Sequence, residues 1–321
     1  MKKLLVCAAF ASMIVTGFAS AAEPDYPTRP VRLVVGYPAG GQTDVLARII
    51  AKNLGEQLGK QVIVENTGGA GGTIGALNVS KAAPDGYTLL MSVEATQTRA
   101  KVFYPKVAYD QLSSFTLLRK MAKQRAVLVV NSNFPAKTVA ELVAYAKARP
   151  KELNYGGTLG TTSHIGGTIF GKLYGTQMTF VTYPGGAQPI TDLLTGTIQV
   201  GFFTESTVAE YIKAGSLRAL AVLAPERSVT FPDLATIEEA GGKAFDISAW
   251  FGVAGPAGLP PAVVKRLMEA LDKISDSPEF ASQIQFIGAV PIKDSNPQNF
   301  AADVAKEVAY WGEWAKENKP D

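Results

Sequence analysis

Short β-rich runs alternate with helix-period stretches along nearly the whole chain, and this alternation restricts the fold more than any single residue does. The runs are "VRLVV" (31–35), "QVIVEN" (61–66), "TLLMSV" (88–93), "AVLVV" (126–130), "ELNYG" (152–156), "TFVTY" (179–183), "QVGFF" (199–203), "LRALAVL" (217–223) and "WFGVAG" (250–255). Between the first two, Val45, Leu46, Ile49, Ile50, Leu54 and Leu58 share one helical stripe. Thr138 and Glu141 have capping-box spacing before "LVAYAKA", and Phe300, Val304, Val308 and Trp311 fall on one face of a last amphipathic helix. Strands alternating with helices predict an α/β fold whose mostly parallel sheets are flanked by helices. Two polar, Pro-containing stretches, "NSNFPAKT" (131–138) and "APERSVTFPDLAT" (224–236), read as crossovers. Residues 131–225 would then form a second lobe, and 23–130 with 226–321 the first. A double crossover of this kind makes a hinged cleft suited to closing on a ligand.

The first residues bear on the compartment. "MKK" is a basic start, "LLVCAAFASMIVTGFA" is apolar but shorter than a membrane span, and "ASA" at Ala19–Ala21 has the small-x-small form of a cleavage site. The expectation is a signal peptide over residues 1–22 and a soluble exported protein. Its removal takes away Cys7, the only cysteine, so the mature chain can form neither a disulfide nor a thiolate metal site. Losing Lys2 and Lys3 from 31 basic residues, against 28 acidic ones, takes the formal charge from +3 to +1. The basic balance therefore gives no argument for nucleic acid or a membrane surface. No later apolar run is long enough to cross a bilayer.

The glycines invite enzyme readings, which the spacing rejects. "GGAGGTIG" (68–75) follows one strand run and precedes a helix, but the third glycine of a dinucleotide fingerprint would fall at Ile74. No G-x-x-x-x-G-K-[ST] segment exists. His164 is the only histidine; Ser163 beside it cannot face it on a helix, and no G-x-S-x-G elbow is present. One histidine without cysteine cannot assemble a zinc site. No cofactor is implied, and a hydrolase based on His164 is the weakest of the function classes.

What remains is a set of small-residue loops, each following a strand and opening a helix: "YPAGGQTD" (37–44), "SVEAT" (92–96), "GGTLGTTSHIGG" (156–167) and "FFTEST" (202–207). In an open α/β sheet such loops lie at the carboxyl ends of strands, where ligands bind. Their donors are backbone N–H groups and hydroxyls with few cations, which favours a small carboxylate over a phosphate. The residues singled out are Tyr37, Gly40, Gly41, Thr43, Ser92, Glu94, Thr161, Thr162, Ser163, His164, Phe203 and Thr204.

These segments resemble a known family. "YPTRPVRLVVGYPAGGQTDVLARIIAKNLGEQLGKQVIVENTGGAGGTIGALNVSKAAPDGYTLLM" is similar to the opening of a Bug/TctC-type periplasmic solute-binding protein of tripartite tricarboxylate transporters. The likeness continues in "PAKTVAELVAYAKARP", "SHIGGTIF", "TYPGGAQPITDLLTGTIQV", "AGSLRALAV" and "PAGLPPAVVKRL". The resemblance implies a two-lobed periplasmic-binding-protein fold, type II-like, that closes on a carboxylate and delivers it to the membrane components of a transporter. It also implies that Gly40, Gly41 and Thr43 meet a carboxylate from one lobe, and Thr161, Ser163 and His164 from the other. Asp44, at the matching acidic position, is expected to cap its own helix. A monomer is expected, bound neither to nucleic acid nor within the membrane.

Departures from the family pattern bear on the ligand. Gly36 stands where Pro is common, Ala95–Thr96 where Gly-Thr is, Ala100–Lys101 where Asn-Pro is, and Phe203 where an Asp often begins the loop. An aromatic floor at Phe203 and Tyr37 would suit an aromatic carboxylate such as terephthalate, whereas a Phe203 facing the core would not. Glu94 and Glu205 could instead receive an amine, which keeps amino acids, and nicotinate-type acids, as competing ligands. A receptor that presents its closed form to a sensor kinase is the alternative role.

Overall fold

The computed structural model describes residues 26–183 and 187–317; the expected signal peptide lies outside them. Among the described residues, eleven strands build two sheets. In chain order they are β1 (Val31–Val35), β2 (Val62–Asn66), β3 (Thr88–Val93), β4 (Phe115–Gln124), β5 (Ala126–Asn131), β6 (Asn154–Gly157), β7 (Thr179–Thr182), β8 (Val200–Thr204), β9 (Leu217–Val222), β10 (Ala249–Pro256) and β11 (Ala289–Pro291). The helices are α1 (Gln42–Leu58), α2 (Thr73–Ser80), α3 (Ala100–Phe103), α4 (Val139–Ala148), α5 (Thr162–Tyr174), α6 (Ala187–Thr195), α7 (Glu205–Lys213), α8 (Pro261–Asp276), α9 (Pro278–Gln285) and α10 (Pro297–Glu317).

The first sheet has the order β11-β4-β10-β3-β1-β2 and the second β7-β6-β8-β5-β9. Both are mixed, with most strands running one way and β10, β11 and β5 reversed. β1 pairs parallel with β2 and β3, but β10 runs antiparallel to β3 and β4, as does β11 to β4. In the second sheet β6 pairs parallel with β7 and β8, while β5 runs antiparallel to β8 and β9. The antiparallel strands include those by which the chain passes between lobes. β5 enters the second sheet, and β10 returns to the first.

This topology moves the expected lobe boundaries. β5 belongs to the second sheet, so the outward crossover is Arg125 rather than the stretch after Val130. The return lies near Ile247, because Ile237 and Ile247 pack in the second-lobe core with Phe170, Phe202 and Leu223. Two strands escape the sequence pattern. β4 carries Arg119, Lys120 and Lys123, which break its apolar run, and β11 is a three-residue piece ending in Pro291.

Local signals produce the elements they should. Leu46, Ile50, Leu54 and Leu58 of α1 are buried under the first sheet, in one core with Leu267 and Leu271 of α8. Thr138 caps α4 by accepting from the Glu141 N–H at 3.1 Å, and Glu141 in turn accepts from the Lys137 N–H at 2.7 Å. Phe300 and Val304 of α10 pack on the first lobe. Trp311 and Trp314 further along it join the second-lobe core. The last helix thus spans both lobes.

Candidate functional site

The turn between β1 and α1 is built to leave backbone donors free. Gly40 takes the left-handed conformation (φ +78°), and Gly41 is the N-cap of α1 without any side-chain cap. Asp44 reaches back and accepts from the Gly40 N–H, from Arg48 Nε and from Asn66 Nδ2, each at 2.9 Å. Burial pushes its pKa up, but these three hydrogen bonds pull it further down, so the carboxylate stays ionised. Asn66 also donates to the Tyr37 carbonyl at 3.0 Å, tying the turn to the end of β2. Asp44 therefore holds the loop in shape, but the expected cap of α1 is not made: its carboxylate takes the Gly40 N–H before the N-cap and leaves the first amides of α1 without a side-chain cap.

This arrangement redistributes the expected roles. The Gly40 N–H is occupied by Asp44, so Gly40 shapes the turn and does not offer a donor. The Gly41 N–H makes a long 3.4 Å bond to the Pro38 carbonyl, and Pro38 to Gly41 face solvent. The first intrahelical donor is Val45, bonded to the Gly41 carbonyl, which leaves the Gln42 and Thr43 amides at the mouth of a 17-residue helix. Tyr37 stands beside them, donating from its hydroxyl to the Gly71 carbonyl at 2.9 Å. The "GGAGG" segment is packing rather than nucleotide cradle: a Cβ on Gly72 would meet Thr96 and Tyr37, and one on Gly71 would meet Tyr104.

The second lobe contributes the turn opening α5, whose Gly160 carbonyl accepts from Arg99. Thr161 is its N-cap, again without a side-chain cap on the helix, since its hydroxyl donates to the Thr158 carbonyl at 2.7 Å. Ile165 is the first residue bonded back to Thr161, so the Thr162 and Ser163 amides lie in the unpaired first turn. His164 accepts the Gly160 N–H on Nδ1 at 3.3 Å and packs 4.3 Å from Phe180 and 5.1 Å from Phe103. Burial, then the charge of Arg99, lowers its pKa to about 4, so it is a neutral imidazole with its proton on Nε2. It works as a packed, hydrogen-bonded wall residue.

Thr204 closes the third side. It is the N-cap of α7, and its hydroxyl donates across the cleft to Gln42 Oε1 while lying 2.9 Å from Thr207 Oγ1. Thr207 donates to the same Gln42 oxygen at 3.2 Å. Gln42 Nε2 is buried and has no partner. Sequence reasoning passes over Gln42, although it sits inside the quoted turn.

Four residues considered for the ligand are engaged elsewhere. Ser92 is fully buried and donates to Gln97 Oε1 at 3.0 Å within the lobe. Phe203 points away from the cleft into a core cluster with Val127, Ile190, Leu193 and Val208. Neighbouring side chains on a strand face opposite ways, and in β8 it is Phe202 that shares the α5 side with Phe170. Glu205 is also turned away: it is fully buried and accepts from Ser228 Oγ at 2.7 Å beside the crossover. Glu94 is buried too, ion-paired with Arg99. Those two are joined by a π-helical turn over Ala95–Arg99, a geometry no periodicity count anticipates.

The comparisons with known proteins agree with this architecture. The model of the tripartite tricarboxylate transporter family receptor matches residues 46–319. BugT of Bordetella pertussis is 33% identical over 302 residues, covering 92% of this chain and 91% of its own. Among solved structures, the Rhodopseudomonas palustris protein Rpa4515, determined with adipate, is 34% identical with a TM-score of 0.86, covering 91% of this chain and 98% of its own. MatC of the same organism, determined with bound malate, is 28% identical with a TM-score of 0.82 and covers 90% of this chain and 99% of its own. No helix among the described residues is long and apolar enough to cross a membrane. The fold is that of the two-lobed periplasmic binding proteins, and the chain belongs to the tripartite tricarboxylate transporter receptor family.

Proposed function

We propose that the protein captures a small carboxylate in the periplasm and hands it to the membrane components of a tripartite tricarboxylate transporter. The observation that supports this reading is a pair of helix N-termini without side-chain caps, α1 and α5, each next to a contact between the lobes: Gln42 at the start of α1 meets Thr204, and Gly160 just before α5 meets Arg99. Each supplies backbone donors and a positive dipole end, enough for one carboxylate without a dedicated cation that would slow release. Gln42, Thr43, Thr162 and Ser163 would supply the donors, with the Gln42 side-chain amide and the Thr161 and Thr204 hydroxyls around them. Lobe closure would be the signal that the transporter reads, and no chemical step is involved.

For the class of ligand, a linear aliphatic dicarboxylate is the best-supported choice. Terephthalate would need a ring stacking against Phe203, which packs in the core instead. An amine would have to displace Arg99 from Glu94, an exchange of one buried cation for another. The solved relatives named with adipate and malate point the same way. A thermal-shift panel of adipate, malate, citrate, acidic amino acids, nicotinate, benzoate and terephthalate tests the choice. An acid at about 100 times its dissociation constant adds roughly 2.7 kcal/mol of stability. The largest shift should come from an aliphatic diacid. No shift with any acid would defeat the receptor reading, and a larger shift with terephthalate or an amino acid would defeat the ligand class alone.

A further inference from the structure

Arg99 occupies a position that the carboxylate reading does not itself require. It is 5% exposed, ion-paired with the equally buried Glu94 of its own lobe, and its Nε donates across the cleft to the Gly160 carbonyl at 2.8 Å. Its guanidinium carbon lies 5.0 Å from the centre of the Trp311 ring, within cation–π range. Five residues on, the Tyr104 hydroxyl donates to the Leu159 carbonyl at 3.2 Å. Two consecutive carbonyls of the second-lobe turn are therefore held by side chains of the β3–β4 connection, where Phe103 and Tyr104 also pack against the second-lobe core.

Gly160 is gripped from the other side as well. Its N–H goes to His164 Nδ1, and its φ of +75° with the Phe103 ring beneath leaves no room for a side chain: a Cβ would come within 2.9 Å of that ring. The residue that follows is Thr161, the N-cap of α5. Whatever fixes Gly160 thus fixes the direction in which the Thr162 and Ser163 amides point.

We propose that Arg99 is a positioning residue that clamps Gly160 across the cleft, holding the α5 amides in register with those of α1 and so stabilising the closed receptor. Glu94 orients the guanidinium. The planar fork lets one side chain serve both lobes at once, which the single ammonium of a lysine cannot do with the same geometry. Opening the lobes breaks the bond to Gly160 and keeps the bond to Glu94, so the clamp acts on the closed state alone. Its effect on binding falls on dissociation rather than encounter. The ligand arm of the test below rests on the carboxylate-receptor reading; the ligand-free arm does not.

The test is the interlobe distance distribution by spin labels at Lys52→Cys on α1 and Lys213→Cys on α7, both exposed, in a Cys7→Ser background without ligand. The wild-type distribution should contain a short-distance population that Arg99→Met depletes several-fold, Arg99→Lys depletes partly and Tyr104→Phe depletes least. Should Arg99→Met fail to fold because Glu94 is stranded, the Glu94→Gln/Arg99→Met pair removes the buried charge and takes its place. With adipate as the probe, stopped-flow dissociation from the same variant should accelerate on the order of tenfold, with association unchanged within about threefold. A wild-type distribution lacking the short population would overturn the clamp. So would superimposable distributions for wild type, the Arg99 variants and Tyr104→Phe. Failure of wild type to bind adipate would count against the ligand class and leave the distance measurement to decide the clamp.

Discussion

Phe203→Ala separates a core residue from a ligand floor in one experiment. The Phe203 side chain is 3% exposed and lies against Gly201, where a Cβ would come within 2.4 Å of the ring. Val127, Ile190, Leu193 and Val208 complete its surroundings on the face of β8 away from α5. Truncating a buried Phe to Ala costs about 3–5 kcal/mol, from lost burial and the cavity left behind. Against a total stability of roughly 5–15 kcal/mol this is a large fraction, and at about 2–4 °C per kcal/mol it lowers the melting temperature by on the order of 10 °C. Urea unfolding monitored by circular dichroism reads the loss, and calorimetric titration of the folded variant with adipate and with terephthalate reads the site. The expected result is a large stability loss with affinities for both acids within about threefold of wild type. Phe203→Asp would be uninformative about ligands, because an unpaired charge in this cluster prevents folding. Normal stability together with a selective loss of terephthalate affinity would refute the placement of Phe203 in the core.

Other substitutions and conditions probe the cleft directly. Gly41 has an extended backbone that any residue adopts, and a Cβ added there would lie 3.3 Å from the Pro38 carbonyl, so Gly41→Val should fold normally by circular dichroism. Its affinity for the tightest acid of the panel should nevertheless fall on the order of tenfold or more, and unchanged affinity would remove the turn from the site. Gln42→Ala deletes the acceptor shared by Thr204 and Thr207 and the buried amide; at about 0.5–1.5 kcal/mol per neutral hydrogen bond, affinity should drop roughly tenfold in calorimetric titration. His164, with a folded pKa lowered to about 4 from 6.5, binds its proton more readily in the unfolded chain. Its contribution to stability is therefore complete above about pH 6.5 and is lost as pH falls toward 4, by up to a factor of ten in the folding constant per pH unit. His164→Asn should flatten that part of the pH–stability curve, and an unchanged slope would assign the acid sensitivity elsewhere.

Much of the fold is legible in the sequence because it rests on local periodicity. The runs of β1, β3 and β8, the stripe on α1 and the Thr138–Glu141 cap follow from spacing within a few residues. β4 is not legible because its charges are satisfied by distant partners. Arg119 is 4% exposed, with Asp272 Oδ1 at 2.5 Å and the Lys293 and Ser295 carbonyls around its guanidinium. Read alone, such a charge looks like a surface residue. Strand direction is equally hidden, since alternation of helix and strand says nothing of where β5 and β10 cross between sheets.

The site divides in the same way. Small-residue turns between strand and helix mark residues 37–44 and 156–167, and the resemblance assigns ligand contacts to Thr161, Ser163 and His164 in the second. Which donors are free inside each turn depends on Asp44 taking the Gly40 N–H, a bond that sequence does not display. Glu94 and Arg99 are five apart, about 140° around an α-helix, and would not be paired on that geometry. The π-helical turn brings them together. For Phe203, the decision between cleft and core lies in which face of β8 it occupies, and that requires the partner strand and the helices on either side.

If one carboxylate is held between the first turns of α1 and α5, both turns should gain amide protection when it binds. Hydrogen exchange with and without the acid giving the largest thermal shift should show that protection in peptides containing Gln42–Thr43 and Thr162–Ser163 together, one from each lobe. Protection confined to one of these turns, or found only outside both, would contradict this placement.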